Sequence, residues 1–115
     1  MERLVKAFQN SVRAFLRLAR SEKAFQQELM LLAVAVPLGW FLSESWPGYM
    51  LLIGSVIFVI IIEVLNTGIE ATCDALSTEF HSEIQLAKDC GSLAVLLSIA
   101  IALGVWATAV FDTLT

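Results

Sequence analysis

Charge is scarce in this chain. Asp, Glu, Lys and Arg make up 16% of its 115 residues, where a water-soluble globular domain carries about 25%. Histidine occurs once and cysteine twice, with no His near either cysteine at metal-ligand spacing. That argues against a zinc site of thiolate and imidazole. Basic residues all but vanish beyond Lys23. Six of the seven (Arg3, Lys6, Arg13, Arg17, Arg20 and Lys23) precede the first long apolar run, and only Lys88 follows it. The net charge is −4 and Lys88 sits in an acidic link, so nucleic acid is not an expected partner. Repeats, linkers and low-complexity stretches are also missing, which leaves one domain over 1–115.

What is present is hydrocarbon. Apolar residues make up 58% of the chain, above the about 45–50% of an ordinary domain, and the chain is too short for a large soluble core. Lipid is the expected solvent. Ser45–Ile62 runs for 18 residues and Leu93–Phe111 for 19 without a charge, each long enough to span a bilayer. Leu29–Leu42 is only 14 residues long and contains Pro37, so on length it is either a short span or a buried helix. Leu4, Val5, Phe8, Val12, Phe15, Leu16 and Leu18 fall on one half of a helical wheel and Lys6, Arg13, Arg17 and Arg20 on the other, the pattern of a helix lying in the membrane interface. The expected fold is therefore an all-α membrane protein, with a surface helix at about 3–20 and spans at about 28–45, 46–76 and 87–112. Ser77–Leu86 reads as a loop. The basic N-terminus and Lys88 belong on the cytoplasmic side, and the long amphipathic basic stretch does not resemble a cleavable signal peptide. Trp40, Trp46, Tyr49, Trp106 and Phe111 then mark the outer interface. Ala94, Ser98 and Ala102 form a stripe for close helix packing. Cys73 and Cys90 lie on the reducing side and read as packing residues.

The chemistry concentrates in Glu63-Val64-Leu65-Asn66-Thr67-Gly68-Ile69-Glu70, followed by Asp74. On one helix Glu63, Asn66, Glu70 and Asp74 share an arc of about 80°. Counted from Ser45, Glu63 lies roughly 27 Å across a hydrocarbon layer roughly 30 Å thick. Carboxylates at that depth need protein, water or a cation opposite them. Oxygen donors favour Mg²⁺ over Zn²⁺. A solvated acidic helix end and an intramembrane relay for ions or protons through Glu63 are the alternatives. Glu22 and Glu28 border the first span and Lys88 opens the third. Lys88 is either a snorkelling anchor or a phosphate contact.

Together these patches resemble the prokaryotic diacylglycerol kinase family, small trimeric membrane kinases. The likeness extends from Arg3 to the end of the third span. It rests on Glu63-x-x-Asn66-Thr67-x-Ile69-Glu70, with Ala24-Phe25-x-Gln27-Glu28, Glu79-x-His81 and Ala87-Lys88-Asp89-x-Gly91-Ser92 in the same order. The resemblance implies transfer of the ATP γ-phosphate to a membrane-lipid hydroxyl with Mg²⁺, by a homotrimer with shared sites in the bacterial cytoplasmic (inner) membrane. It implies Glu63 as the general base supported by Asn66, and Glu22 and Glu70 as metal ligands that also face the nucleotide. Arg3 and Lys88 would contact phosphate, and Glu79, His81 and Asp89 would hold the nucleotide. Asn10, where some members carry an aromatic residue, joins the nucleotide set. Phe80 stands where Tyr is common, a further departure on the nucleotide side. Arg3, Gln27, Glu28, Glu63 and Ser92 would lie beside the lipid. Diacylglycerol is the expected acceptor, with undecaprenol, the substrate of close relatives, as the alternative.

Overall fold

The computed structural model describes residues 1–115. It contains four helices: α1 (Glu2–Ser21), α2 (Lys23–Leu42), α3 (Trp46–Leu76) and α4 (Ser82–Leu114). The last three are long and apolar enough to cross a membrane. The first apolar run is therefore no fragment. Helix α2 begins six residues ahead of it, and its 20 residues extend roughly 30 Å, the thickness of the hydrocarbon layer. Lys23, Gln26 and Glu28 interrupt the apolar pattern without interrupting the helix. Its C-terminal end is Leu42, short of the expected 45.

The loop before α4 is likewise shorter than expected. It spans only Ser77–His81, and Ser82–Leu86 already belongs to α4. Glu83 in the first turn complements the helix dipole, and Gln85, Leu86, Ala87 and Lys88 are good helix formers. At the other end of the chain's long hairpin, Ser45 caps α3 by accepting from the Gly48 N–H at 3.1 Å. Pro47 occupies the first turn, where its missing N–H costs nothing.

One residue joins α1 to α2. Glu22 is extended, at φ −103° and ψ 110°, and the corner is bracketed from both sides. The Gln26 Nε2 donates to the Ala19 carbonyl at 2.9 Å, while Phe15 and Phe25 meet edge to face at 5.5 Å. No residue of α1 is buried.

Helix α4 packs on α3 through a heptad seam. Ile84, Lys88, Gly91, Val95, Ser98, Ala102, Val105 and Ala109 are inward or half-inward positions, flanked by half-buried Ala87 and Trp106, and are spaced alternately by four and three as in an antiparallel coil. On α3, Leu52, Ser55, Val59, Asn66 and Cys73 are buried and Ile62 is half-buried. Small residues let the backbones approach, as expected in lipid. Ser98 is the deepest, 2% exposed. The anticipated stripe of every fourth residue holds for Ser98 and Ala102, but Ala94 faces outward because the true repeat is seven. Cys73 is buried in the seam, and Cys90 is exposed. Toward the end of the bundle away from α1, Trp106 Nε1 donates to the Leu52 carbonyl at 3.1 Å and to Ser55 Oγ at 3.2 Å. The Tyr49 hydroxyl donates to the Val36 carbonyl at 2.9 Å. Even so, only 11 of 115 residues are buried. Most of the apolar surface needs lipid or other chains to cover it.

Candidate functional site

Helix α3 outlasts the hydrocarbon. Its 31 residues run roughly 46 Å, so with one end in the membrane its final turns stand in the headgroup layer and beyond. Those turns carry Glu63, half-buried, Asn66, buried, and Glu70 and Asp74, both exposed. Asn66 Nδ2 donates to Glu70 Oε1 at 3.3 Å, so one carboxylate of the stripe is oriented by its own neighbour one turn earlier.

Two other helices close on the stripe. Helix α2 supplies Glu22 at its N-cap and, six residues later, Glu28. Glu28 lies close enough to Glu63 to feel its charge, as Glu63 does those of Glu70 and Glu22. Helix α4 supplies Lys88, whose Nζ donates to Asp74 Oδ1 at 2.8 Å, and Gly91, whose backbone lies against the Asn66 side chain. Four carboxylates and one amide are thus drawn into a single layer, with an ion pair at its edge. Like charges gathered this way repel, and positive charge, hydrogen-bond donors or protonation relieve that repulsion. One acceptor already shows the need: Glu28 Oε1 is buried without a hydrogen-bond partner, a costly state for a carboxylate oxygen.

The donor chemistry suits a hard divalent cation. No three His, Cys, Asp or Glu side chains converge on one point, so this is no closed protein cage. Mg²⁺ seldom uses one; it takes one or two carboxylates and completes its shell with water and phosphate oxygens. Glu22 and Glu70 are oxygen donors of the type such a shell uses.

The remaining residues singled out from the sequence are Arg3, Asn10, Gln27, Glu79, His81, Asp89 and Ser92, and all seven are exposed. Asn10 Oδ1 accepts from the Arg13 guanidinium within α1. The Glu79 N–H donates to Ser77 Oγ in the loop, and His81 is the N-cap of α4. None is drawn into the carboxylate layer of this chain by a hydrogen bond. Sequence reasoning assigns no partner to Asp74 and no role to Gly91. Asp74 has a usable signal in its spacing of four from Glu70, whereas Gly91 meets Asn66 only through the register of two helices.

Two openings adjoin the layer. A broad groove of about 1310 Å³ separates α1 from α3, with Arg13, Arg17, Arg20 and Glu22 on one wall and Thr67 and Gly68 on the other. A smaller cleft of about 280 Å³ between α2, α3 and α4 has Glu28 as its single non-hydrophobic wall, with Leu31, Val59, Ile99 and Leu103 among the rest. The groove thus reaches Glu22 and the apolar cleft reaches Glu28, two carboxylates six residues apart at the start of α2.

The profile of the family described as prokaryotic diacylglycerol kinase matches residues 9–110. A diacylglycerol kinase of Pseudomonas aeruginosa is 35% identical over 108 residues, covering 94% of this chain and 88% of its own. A diacylglycerol kinase of Escherichia coli K12 is 41% identical over 86 residues, 75% of this chain and 70% of its own. A third, of Haemophilus influenzae, is 36% identical over 92 residues, 80% and 78% of the respective chains.

Proposed function

The chain belongs to the prokaryotic diacylglycerol kinase family, membrane-bound lipid kinases, and from that premise we propose that it transfers the γ-phosphate of ATP to the free hydroxyl of diacylglycerol, giving phosphatidic acid and ADP. The observation that carries the reading is that an apolar cleft walled by Glu28 and a groove walled by Glu22, Arg13, Arg17 and Arg20 reach carboxylates six residues apart at the start of α2. A substrate with acyl chains and a hydroxyl arrives from one side, a polyphosphate from the other.

Phosphoryl transfer asks mainly for positioning and charge neutralisation. Glu63 takes the proton from the lipid hydroxyl as its oxygen bonds to the γ-phosphorus and the bond to the ADP oxygen breaks. Asn66 holds the polar side of the layer in register. Glu22 and Glu70 would hold Mg²⁺, which would neutralise phosphate charge when bound. Lys88 and Arg3 meet phosphate oxygens. Asn10, Glu79, His81 and Asp89 complete the nucleotide site, and Gln27, Glu28 and Ser92 receive the lipid headgroup together with Arg3.

Several of these groups stand exposed on separate elements of one chain, and most apolar surface is uncovered. Both facts support a homotrimer in which neighbouring chains complete each site. The basic α1 supports a cytoplasmic N-terminus in the bacterial inner membrane.

Purified protein in detergent micelles, given Mg-ATP and diacylglycerol in competition with undecaprenol, tests the proposal. Phosphatidic acid is the expected main product. A monodisperse preparation that phosphorylates neither lipid refutes a kinase, and preferential phosphorylation of undecaprenol refutes the acceptor.

A further inference from the structure

We propose that Gly91 is a positioning residue: the bare backbone of α4 at this point lets Asn66 seat and thereby keep Glu70 aimed into the carboxylate layer. The inference rests on the kinase reading for the role of Glu70, and on geometry alone for the contact. A Cβ at Gly91 would collide with Asn66 Oδ1, and would lie 3.0 Å from Asn66 Cγ and 3.7 Å from its Cβ. Glycine is not needed in this way elsewhere along the spans. A Cβ at Gly54, Gly68 or Gly104 would meet nothing within 4 Å, one at Gly39 would meet side chains at 3.4–3.5 Å, and one at Gly48 would lie 3.2 Å from Ser45 Oγ.

The amide has little room to adapt. Asn66 is 8% exposed, and Gly91 is buried beside it. Asn66 Oδ1 is buried with no hydrogen-bond partner, facing the glycine backbone, where only weak Cα–H donors are offered. Its other end, Nδ2, is committed to Glu70 Oε1. Helical side chains occupy few rotamers, so an amide pushed out of this niche leaves Glu70 as it turns. Asn66 thus relays the shape of α4 to a carboxylate on α3 that Gly91 itself does not touch.

Alanine is the better helix former, so Gly91→Ala leaves α4 intact and isolates the steric effect. In micelles, Gly91→Ala should lower kcat about tenfold, the scale of losing a hydrogen bond to a charged group. It should raise the half-saturating Mg²⁺ concentration and leave the lipid KM nearly unchanged. A purely structural role would lower the unfolding midpoint without moving the Mg²⁺ curve. The decisive comparison is a cycle with Asn66→Ala, because once the amide is gone a Cβ at 91 has space. On the Asn66→Ala background, Gly91→Ala should cost nothing further in metal affinity or thermal stability. Additive effects overturn the inference, and so does an unmoved metal curve.

If Gly91→Ala alone fails to fold, the double variant should fold again. A double variant that also fails to fold overturns the contact. Titrating the same four proteins with Mn²⁺, followed by loss of the free-ion electron paramagnetic resonance signal, reads metal binding without turnover. An unshifted Mn²⁺ curve in Gly91→Ala sinks the proposal whether or not the wild type phosphorylates lipid. Absence of wild-type turnover removes the kinase reading alone.

Discussion

Replacing Glu63 by glutamine should move catalysis and stability in opposite directions. The substitution keeps the size and shape of the side chain and removes one charge from a half-buried position near Glu22, Glu28 and Glu70. In the proposed role of general base, Glu63 would contribute about 10²–10⁴ in rate, or about 3–5 kcal/mol of barrier at about 1.4 kcal/mol per decade. Turnover at saturating Mg-ATP and diacylglycerol should fall by that factor, with the ATP KM little changed. The fold should gain. Like charges on neighbouring helix positions oppose each other by a few tenths of a kcal/mol, and partial burial adds to the charge's cost. The unfolding midpoint in micelles should therefore stay level or rise slightly. Phosphatidic acid formation and thermal unfolding, measured on one preparation, decide the matter. Turnover within tenfold of wild type refutes Glu63 as the base. Lost turnover accompanied by a lower midpoint shows that Glu63 holds the structure together instead.

Three further outcomes are expected. Glu70→Gln should shift the Mg²⁺ dependence of turnover to higher concentration, and an unchanged titration would remove Glu70 from the metal site. Lys88→Met should raise the ATP KM about tenfold or more while barely moving the unfolding midpoint. The side chains of Lys88 and Asp74 are 42% and 63% exposed, and exposed pairs add little stability; a collapse in stability would contradict that. Trp106→Phe removes the donor to Leu52 and Ser55. It should destabilise the protein by about 1 kcal/mol, the usual size of an interhelical hydrogen bond in lipid, and a cost near zero in denaturant unfolding would show the contact to be idle.

Features set by local geometry are legible in the order of residues alone. The two uncharged runs announce α3 and the last span, and the spacing of Glu63, Asn66, Glu70 and Asp74 places them on one stripe, since one helix's turn fixes their phase. Hydropathy fails where polar residues continue a helix. Lys23–Glu28 belongs to α2 and Ser82–Leu86 to α4, because helix propensity and end charges rule there. Contacts between helices are hidden for a different reason. Gly91 against Asn66, and Lys88 on Asp74, depend on how far α4 slides along α3, which no residue spacing within either helix records. The outward turn of Ala94 and Cys90 follows from the same seven-residue repeat.

The corner between α1 and α2 is as short as a corner can be. A single extended residue separates the two helices, so torque on the amphipathic segment has no slack linker in which to dissipate. That residue is Glu22, and its backbone torsions set both the tilt of α1 and the aim of a carboxylate. Any change in the angle between α1 and α2 therefore passes through the backbone of the residue that bears this carboxylate.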